Sequence, residues 1–267
     1  AAARQRGITE DELEDRLVPD CGLAPDGSRV FDFGPRQFRL VLGEGLKPII
    51  RDPEGKLRAD LPKPNARDDR ALAERSVAEW KLLKKLLAEV LKGEARRLEL
   101  AMVYGRRWSA AEFEAVFLRR PVMSLLARLL VWAVHAPGGE RVAMFRVAED
   151  NTLADAADEP FALPPDAAVS LPHPLLLSEE ERVTWGERLA DYELTPPFPQ
   201  IGRELHHPTE AERNADRLDR FNHLSCLAIA LTEGLDRHGW RRGEVGGGGM
   251  FYSHSREYAA YQQRAEV

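Results

Sequence analysis

The sequence predicts an α+β fold: an antiparallel β-meander packed on a helical core, followed by a second short β region and a closing long helix. Three observations carry this expectation. Short runs of alternating apolar residues, separated by Gly- and Pro-bearing turns, occupy about 29–61 and about 140–175. Apolar residues at three- and four-residue spacing fill about 68–134. Strands and helices come in separate blocks rather than alternating singly, which argues against a doubly wound parallel sheet.

Taken in order, residues 8–18 read as a short helix, with Thr9 as N-cap and Glu12 completing a capping box. VFDF, QFRLVL and KPIIRD then read as three strands turned by Gly34-Pro35, Gly43-Glu44-Gly45 and Pro53-Glu54-Gly55, with a fourth strand over Lys56–Leu61. Phe33, Phe38 and Leu40 mark the buried face of this meander, because side chains alternate across a strand. A long helix starts at Asp68 or Asp69 and runs to about Val103, with Trp80, Leu83, Leu87 and Leu91 on its apolar stripe. Gly105 is its stop. Ser109 and Glu112 form a capping box for a helix over 110–118, and Pro121 opens another to about Trp132. After the second β region come a helix over 179–191, a proline-rich signature and a helix from Pro208 or Glu210 to about His238, stopped by Gly239. Residues 1–245 thus read as one α+β region, with the signature and closing helix at about 179–240. Residues 246–267 read as a Gly-rich link, Gly246–Gly249, and a partial tail strand.

The 267 residues suffice for a real core, and 43% hydrophobic with 31% charged content is that of an ordered chain. A net charge of -6 excludes nucleic-acid binding by overall basicity, though a local basic stripe is compatible with it. Cys21 and Cys226 lack any CxxC spacing and read as reduced structural thiols of a cytoplasmic protein. The longest apolar run, near Leu125–Val134, is interrupted by Arg128 and is too short for a bilayer, so no membrane association is expected. The chain lacks an initiating Met and begins mid-pattern, so we expect a piece of a longer polypeptide.

The segment Trp185–Arg203, WGERLADYELTPPFPQIGR, is the most distinctive. Pro196, Pro197 and Pro199 lack N–H donors and fix φ, so this stretch cannot continue the preceding helix. It resembles the signature of a bacterial family catalogued as domain of unknown function 4132, found in large proteins described as molybdate-metabolism-regulator-like. The likeness extends to GITEDELEDRLVPD, DGSRVFDFGPRQF, LPKP, AEWKLLKK and AMVYGRRWSAAEF. LVWAV, FRVAEDNTLADAADEPFALP, HPLLLSEEE and GWRRGE follow in the same order, covering most of residues 7–244. In relatives this region lies toward the C-terminal part of proteins that often carry a WGR module. Here Trp185-Gly186 is followed by Glu187, so that module's signature fails. The resemblance implies no catalytic residues.

Candidate binding residues are Arg106, Arg107, Trp108, Tyr192, Phe198, Gln200 and Arg203. Arg106-Arg107-Trp108 sets two guanidinium forks beside an aromatic, a pattern that can grip phosphate and stack a base. It belongs to a basic series that includes Lys81, Lys84, Lys85, Lys92, Arg96, Arg97, Arg119, Arg120 and Arg128. A solvated helix face, with lysine stems covering the core, is the plainer reading. Tyr192 to Arg203 is either a recognition surface or a plug with Phe198 buried near Trp185 and Tyr192; the plug is favoured. His173, His206, His207 and His223 show no metal-ligand spacing. Glu149, Asp150, Asp155, Asp158 and Glu159 read as a solvated hairpin flank, and Gly246–Gly249 lacks the Lys of a phosphate-binding loop. No catalytic residue, metal or cofactor is expected. The favoured function is a non-catalytic interaction or scaffold module of a regulatory or stress-associated bacterial protein. Its partners would be another protein or other domains of the same polypeptide. An enzyme acting on a nucleotide or nucleic acid is the alternative, and nucleic-acid binding through the basic stripe is the second.

Overall fold

Alternation decides which way the first sheet faces. Phe31, Phe33, Phe38, Leu40 and Ile50 fall on one side of it, and all are buried. In the computed structural model, which describes residues 10–43, 46–222, 224–246, 251, 253–258 and 263–266, this sheet is an antiparallel meander. Its strands lie in chain order: β1 (Val30–Asp32), β2 (Gln37–Gly43), β3 (Lys47–Arg51) and β4 (Leu57–Arg58). The apolar face closes on a long helix, α2 (Arg70–Tyr104), whose buried stripe includes Trp80, Leu83, Leu87 and Leu91. Phe31 meets Trp80 edge-on, with ring centroids 5.5 Å apart. A short helix, α1 (Glu10–Leu17), precedes the sheet; Thr9, its expected cap, lies outside the described residues, as do Glu44 and Gly45 of the expected second turn.

Capping explains the bounds of α2. The Asp69 carboxylate accepts a hydrogen bond from Leu72 N at 2.9 Å. At the other end Gly105 has φ 65. Its N–H donates to Met102 O at 3.2 Å, and Arg106 N–H donates to Ala101 O at 2.9 Å, closing a Schellman motif that L side chains disfavour.

Strand β5 (Arg107–Ser109) leads into α3 (Ala110–Phe113), where Ser109 and Glu112 form the expected capping box. The helix continues as a π turn over Glu114–Leu118, which lets Phe113 and Phe117 both reach the core as a stacked pair. Next come α4 (Pro121–Ala127) and β6 (Val131–His135). This corrects the expectation of a helix to Trp132 and of a wholly helical stretch over 68–134. Val131 to Val134 are buried on both faces between two neighbouring strands. A short, continuously apolar run carries no periodicity to separate strand from helix; β-branched and aromatic content favoured the strand.

The second sheet joins these strands to β7 (Arg141–Val147), β8 (Leu153–Ala154) and β9 (Ala168–Ser170), in the antiparallel order β5-β9-β6-β7-β8. Trp132 is its hub: the rings of Phe113, Phe117 and Trp108 lie 4.9, 4.7 and 5.9 Å from it. One apolar cluster runs from the meander through α2 into this sheet.

Helix α5 (Glu179–Asp191) ends before the prolines act. Glu193 sits in the left-handed region at φ 53. Leu194 N–H donates to Leu189 O at 2.8 Å and Glu193 N–H to Ala190 O at 2.9 Å, a Schellman stop built without glycine.

The closing helix needs the larger correction. It is two short helices, α6 (Glu210–Arg213) and α7 (Ala228–Arg237), with a 3₁₀ turn over Asp219–Phe221 between them. No residue of α6 or α7 is buried, so no packed face sustains a long helix. Polar side chains also compete for the local backbone: Thr209 caps α6, and Arg220 donates back to the Glu212 carboxylate and His207 O. Gly239 stops α7 at φ 78, as expected. A small sheet, β10 (Arg241–Arg242), β11 (His254–Tyr258) and β12 (Gln263–Glu266), follows. It is tied to α2 through Arg256 Nε and the Tyr104 hydroxyl, at 3.1 Å. Gly247–Gly249 of the expected link lie outside the described residues.

Candidate functional site

The arginines of the expected basic series have acceptors inside the fold. Helix α1 delivers Asp15, 2% exposed, to the far end of α2. Its carboxylate accepts from Arg97, from Arg106 Nη2 at 2.5 Å and from Trp108 Nε1 at 2.9 Å. Arg97 is also paired with Glu94, so two cations and two anions balance. The Arg106 guanidinium stacks 4.7 Å from the Trp108 ring centroid. Alternation along β5 sends Arg107 the other way, where it donates to Gly139 O at 2.9 Å. Arg120 binds Arg16 O and Val18 O, and Arg128 binds Asn151 Oδ1 at 3.0 Å. Of the remaining basic series, Lys84 pairs with Asp60, Arg96 donates to Asp236 O, and Lys81, Lys85 and Lys92 are exposed along α2.

The signature segment is distributed rather than gathered. Gln200 is fully buried; its amide accepts from Val131 N at 3.0 Å and donates to Val131 O at 2.8 Å, clamping the segment to β6. Phe198 is 6% exposed and joins the main core. Trp185 packs instead with Val131, Leu177, Leu189 and Ile201 in a separate cluster, so the expected grouping around Phe198 does not form. Tyr192 is exposed; its hydroxyl donates to Asp158, and its ring lies 3.8 Å from the Arg146 guanidinium. Those donors, Tyr192 first and then Arg146, hold the Asp158 carboxyl below the usual carboxylate range. Arg203 pairs with Glu99 and donates to Pro199 O. Burial, then the charge of Arg203, pushes the His173 pKa down, and its Nδ1 accepts from Leu175 N at 3.2 Å.

One pair escaped sequence reasoning. His135 on β6 and Ser170 on β9 meet with Nε2 and Oγ 2.8 Å apart. The other ring nitrogen, Nδ1, lies 3.3 Å from Gly139 O. Burial, then the charge of Arg107, lowers the His135 pKa. A proton on Nδ1 bonding Gly139 O leaves Nε2 to accept from Ser170, the hydrogen bond that a nucleophile and its base share. Ser170 is 6% exposed. Two strands 35 residues apart make the pair, so no motif could signal it.

Three of the cavities that open on the surface bear on these residues and on the meander. The first, of about 980 Å³, lies between the outer face of the meander and the second sheet's loops; its walls include Leu46, Leu125, Leu129 and Leu194, with Arg39 and Arg51 among the charged residues. A second, of about 400 Å³, lies between Lys47, Lys92, Glu99 and Phe198. The third, of about 560 Å³, follows Pro196 to Gly202. Phe198 and Gln200 reach these cavities, whereas Arg106, Arg107, Trp108, Tyr192 and Arg203 line none of the three. Among the described residues no group of three or more His, Cys, Asp or Glu side chains could hold a metal ion. No helix among them is long and apolar enough to cross a membrane. Cys21 is half-buried and Cys226 exposed, and neither is bonded to the other.

An α+β architecture of antiparallel sheets on one long helix, with a clamped proline signature, thus defines the class of the chain. Residues 55–240 match the family described as Domain of unknown function (DUF4132), and the chain belongs to that family. It is also 37% identical over 243 residues to the protein named "Uncharacterized protein YehI" of Escherichia coli (strain K12). That match covers 90% of this chain and 20% of YehI, so the chain spans about one fifth of its relative's length. No solved structure matches.

Proposed function

We propose that residues 1–245 act as one non-catalytic interaction module of a longer bacterial protein, followed by a linker and tail at 246–267. In this reading the module is cytoplasmic and docks against other parts of the same polypeptide. The observation that carries it is the stretch Leu218 to Leu231. Leu218, Phe221, Leu224, Leu227, Ile229 and Leu231 are exposed, Leu227 by 80% and Ile229 by 75%. A lone exposed leucine needs no explanation, but a run of this kind marks a surface that another apolar surface covers. The longer relative supplies candidate cover, since four fifths of its length lies beyond the match. The likeness to molybdate-metabolism-regulator-like proteins adds a regulatory or stress-associated setting to the same proposal.

The test uses the long relative. The corresponding region of YehI and the remainder of that polypeptide are expressed as two pieces, and their association is measured by co-elution. Association that is lost when the residues equivalent to Leu224, Leu227 and Ile229 become Ser supports the module. Association that survives those changes, or no association, defeats it.

The Ser170 and His135 pair favours one other reading, an enzyme. Incubation with a fluorophosphonate decides it. Ser170 Oγ would attack phosphorus, its proton passing to His135 Nε2 and fluoride leaving, with a stable adduct on Ser170. Labelling that disappears in Ser170→Ala and His135→Ala would turn the function from docking to catalysis.

A further inference from the structure

We propose that the groove on the outer face of the meander binds an acidic, leucine-bearing peptide segment of a partner protein through Arg39 and Arg51. This site is separate from the Leu218 to Leu231 surface, so either can fail alone. The argument starts from register. Arg39 on β2 and Arg51 on β3 are directly opposed across an antiparallel pair. Directly opposed residues share a face, with β-carbons about 4.5–5.5 Å apart, and like charges placed so repel. Both guanidiniums are exposed. Arg29, Arg36 and Arg58, on or beside the same sheet, each reach a carboxylate. Among the described residues, neither the Arg39 nor the Arg51 side chain donates a hydrogen bond or pairs with a carboxylate, although both backbones belong to the β2–β3 ladder. Two adjacent cations that the fold leaves without acceptors are a standing request for an anion, and the planar fork favours a carboxylate.

Acid groups already in the groove do not answer that request. Asp52 is taken by Arg58 at 2.6 Å and by Lys56 N at 2.8 Å. Arg39 contributes only a minor lowering of the Asp26 pKa, whose main partner is Ser28. Glu149 and Glu193 stand on the opposite wall with Arg128, where Glu149 acts on Arg128. Leu46, Leu125, Leu129 and Leu194 add the apolar wall. An acidic side chain over the arginine pair and apolar side chains on the leucines match both features at once. A volume of about 980 Å³ is at the upper end for a small-molecule cleft and holds several residues of extended chain.

The experiment titrates the 267-residue chain against a fluorescein-labelled decapeptide of alternating Glu and Leu, read by anisotropy, with a Lys and Leu peptide as comparison. Binding of the Glu peptide only, weakening with salt, is expected. Arg39→Gln with Arg51→Gln should weaken it by roughly tenfold or more, without lowering Tm, since the opposed charges are gone. Arg39→Glu with Arg51→Glu should switch preference to the Lys peptide. Lys81→Gln with Lys85→Gln, on the exposed side of α2, should leave binding unchanged. Equal binding of both peptides, insensitivity to the double substitution, or no binding overturns the proposal. So does full displacement by equimolar pyrophosphate, which would leave a simple phosphate site. Self-association that the double Gln substitution abolishes would make a second copy the occupant and overturn it as well.

Discussion

Helices α2 and α7 carry the same kind of pattern and meet different fates. In α2, Trp80, Leu87 and Leu91 recur at helical spacing and are buried against the meander. In α7, Leu227 at its N-cap and Leu231 one turn on stand four residues apart, the same helical step, and are exposed. An amphipathic pattern therefore says that a helix has a face to bury, and nothing about what buries it. The difference lies in the partners: α2 has a sheet of aromatic residues on one side and an Asp15 charge knot at its end. Helix α7 has a hydrogen bond from the Arg96 guanidinium to Asp236 O, an ion pair from Asp236 to Arg242 and the tail strand that follows.

The sharpest test of this contrast is Asp15→Ala. It removes the carboxylate that Arg97, Arg106 and the Trp108 indole share, in a site where Asp15 is 2% exposed. Removing one member of a buried ion pair costs about 3–5 kcal/mol. Urea denaturation should show that loss, and a cost as small as that of an α7 surface change would erase the distinction between the two regions. Next in size is the direct pairing of Leu87→Ala with Ile229→Ala. The first, at 0% exposure, should cost about 2–5 kcal/mol and the second under about 0.5 kcal/mol. Equal costs would mean that α7 is packed in solution.

A smaller effect of opposite sign is expected where α5 stops. Glu193→Gly removes an L side chain from φ 53 and should raise stability by about 0.5–1 kcal/mol. A loss would show that the Glu193 side chain makes a contact worth more than the strain. The smallest is a titration. Glu212 is held to about 2 by Arg220 first and then by the Thr209 N–H. Its ordinary value is about 4.3. Because the folded value is depressed, what it contributes to the 209–220 turn is complete above the ordinary value and drains as pH falls toward about 2. Carboxyl NMR should find its midpoint well below the ordinary glutamate value. A midpoint near 4.3 would mean that the turn is absent in solution.

Much of the fold was legible because its signals are local. Asp69, Gly105, Ser109 with Glu112, and Gly239 bound their elements through hydrogen bonds that neighbours in sequence supply. The strands of the meander follow from alternation and Gly or Pro turns. The segment 131–135 misled because a strand buried on both faces shows no period at all. The stretch 210–238 misled because its spacing is helical while its packing is not. For the candidate residues, sequence supplied chemistry without destination. Arg106 and Trp108 looked like a phosphate grip and are bound to Asp15, more than ninety residues away. Gln200 looked like a contact residue and is a backbone clamp.

The sequence by itself therefore determined the α+β class, the caps, the buried face of the first sheet and the family. Each of these rests on residues within a turn or two of one another. Only the tertiary structure decided which arginines keep a free face, that His135 and Ser170 meet, and that the apolar residues from Leu218 to Leu231 stay uncovered. Each of those depends on pairings across tens of residues, set by sheet register and by which surfaces remain once the core has closed.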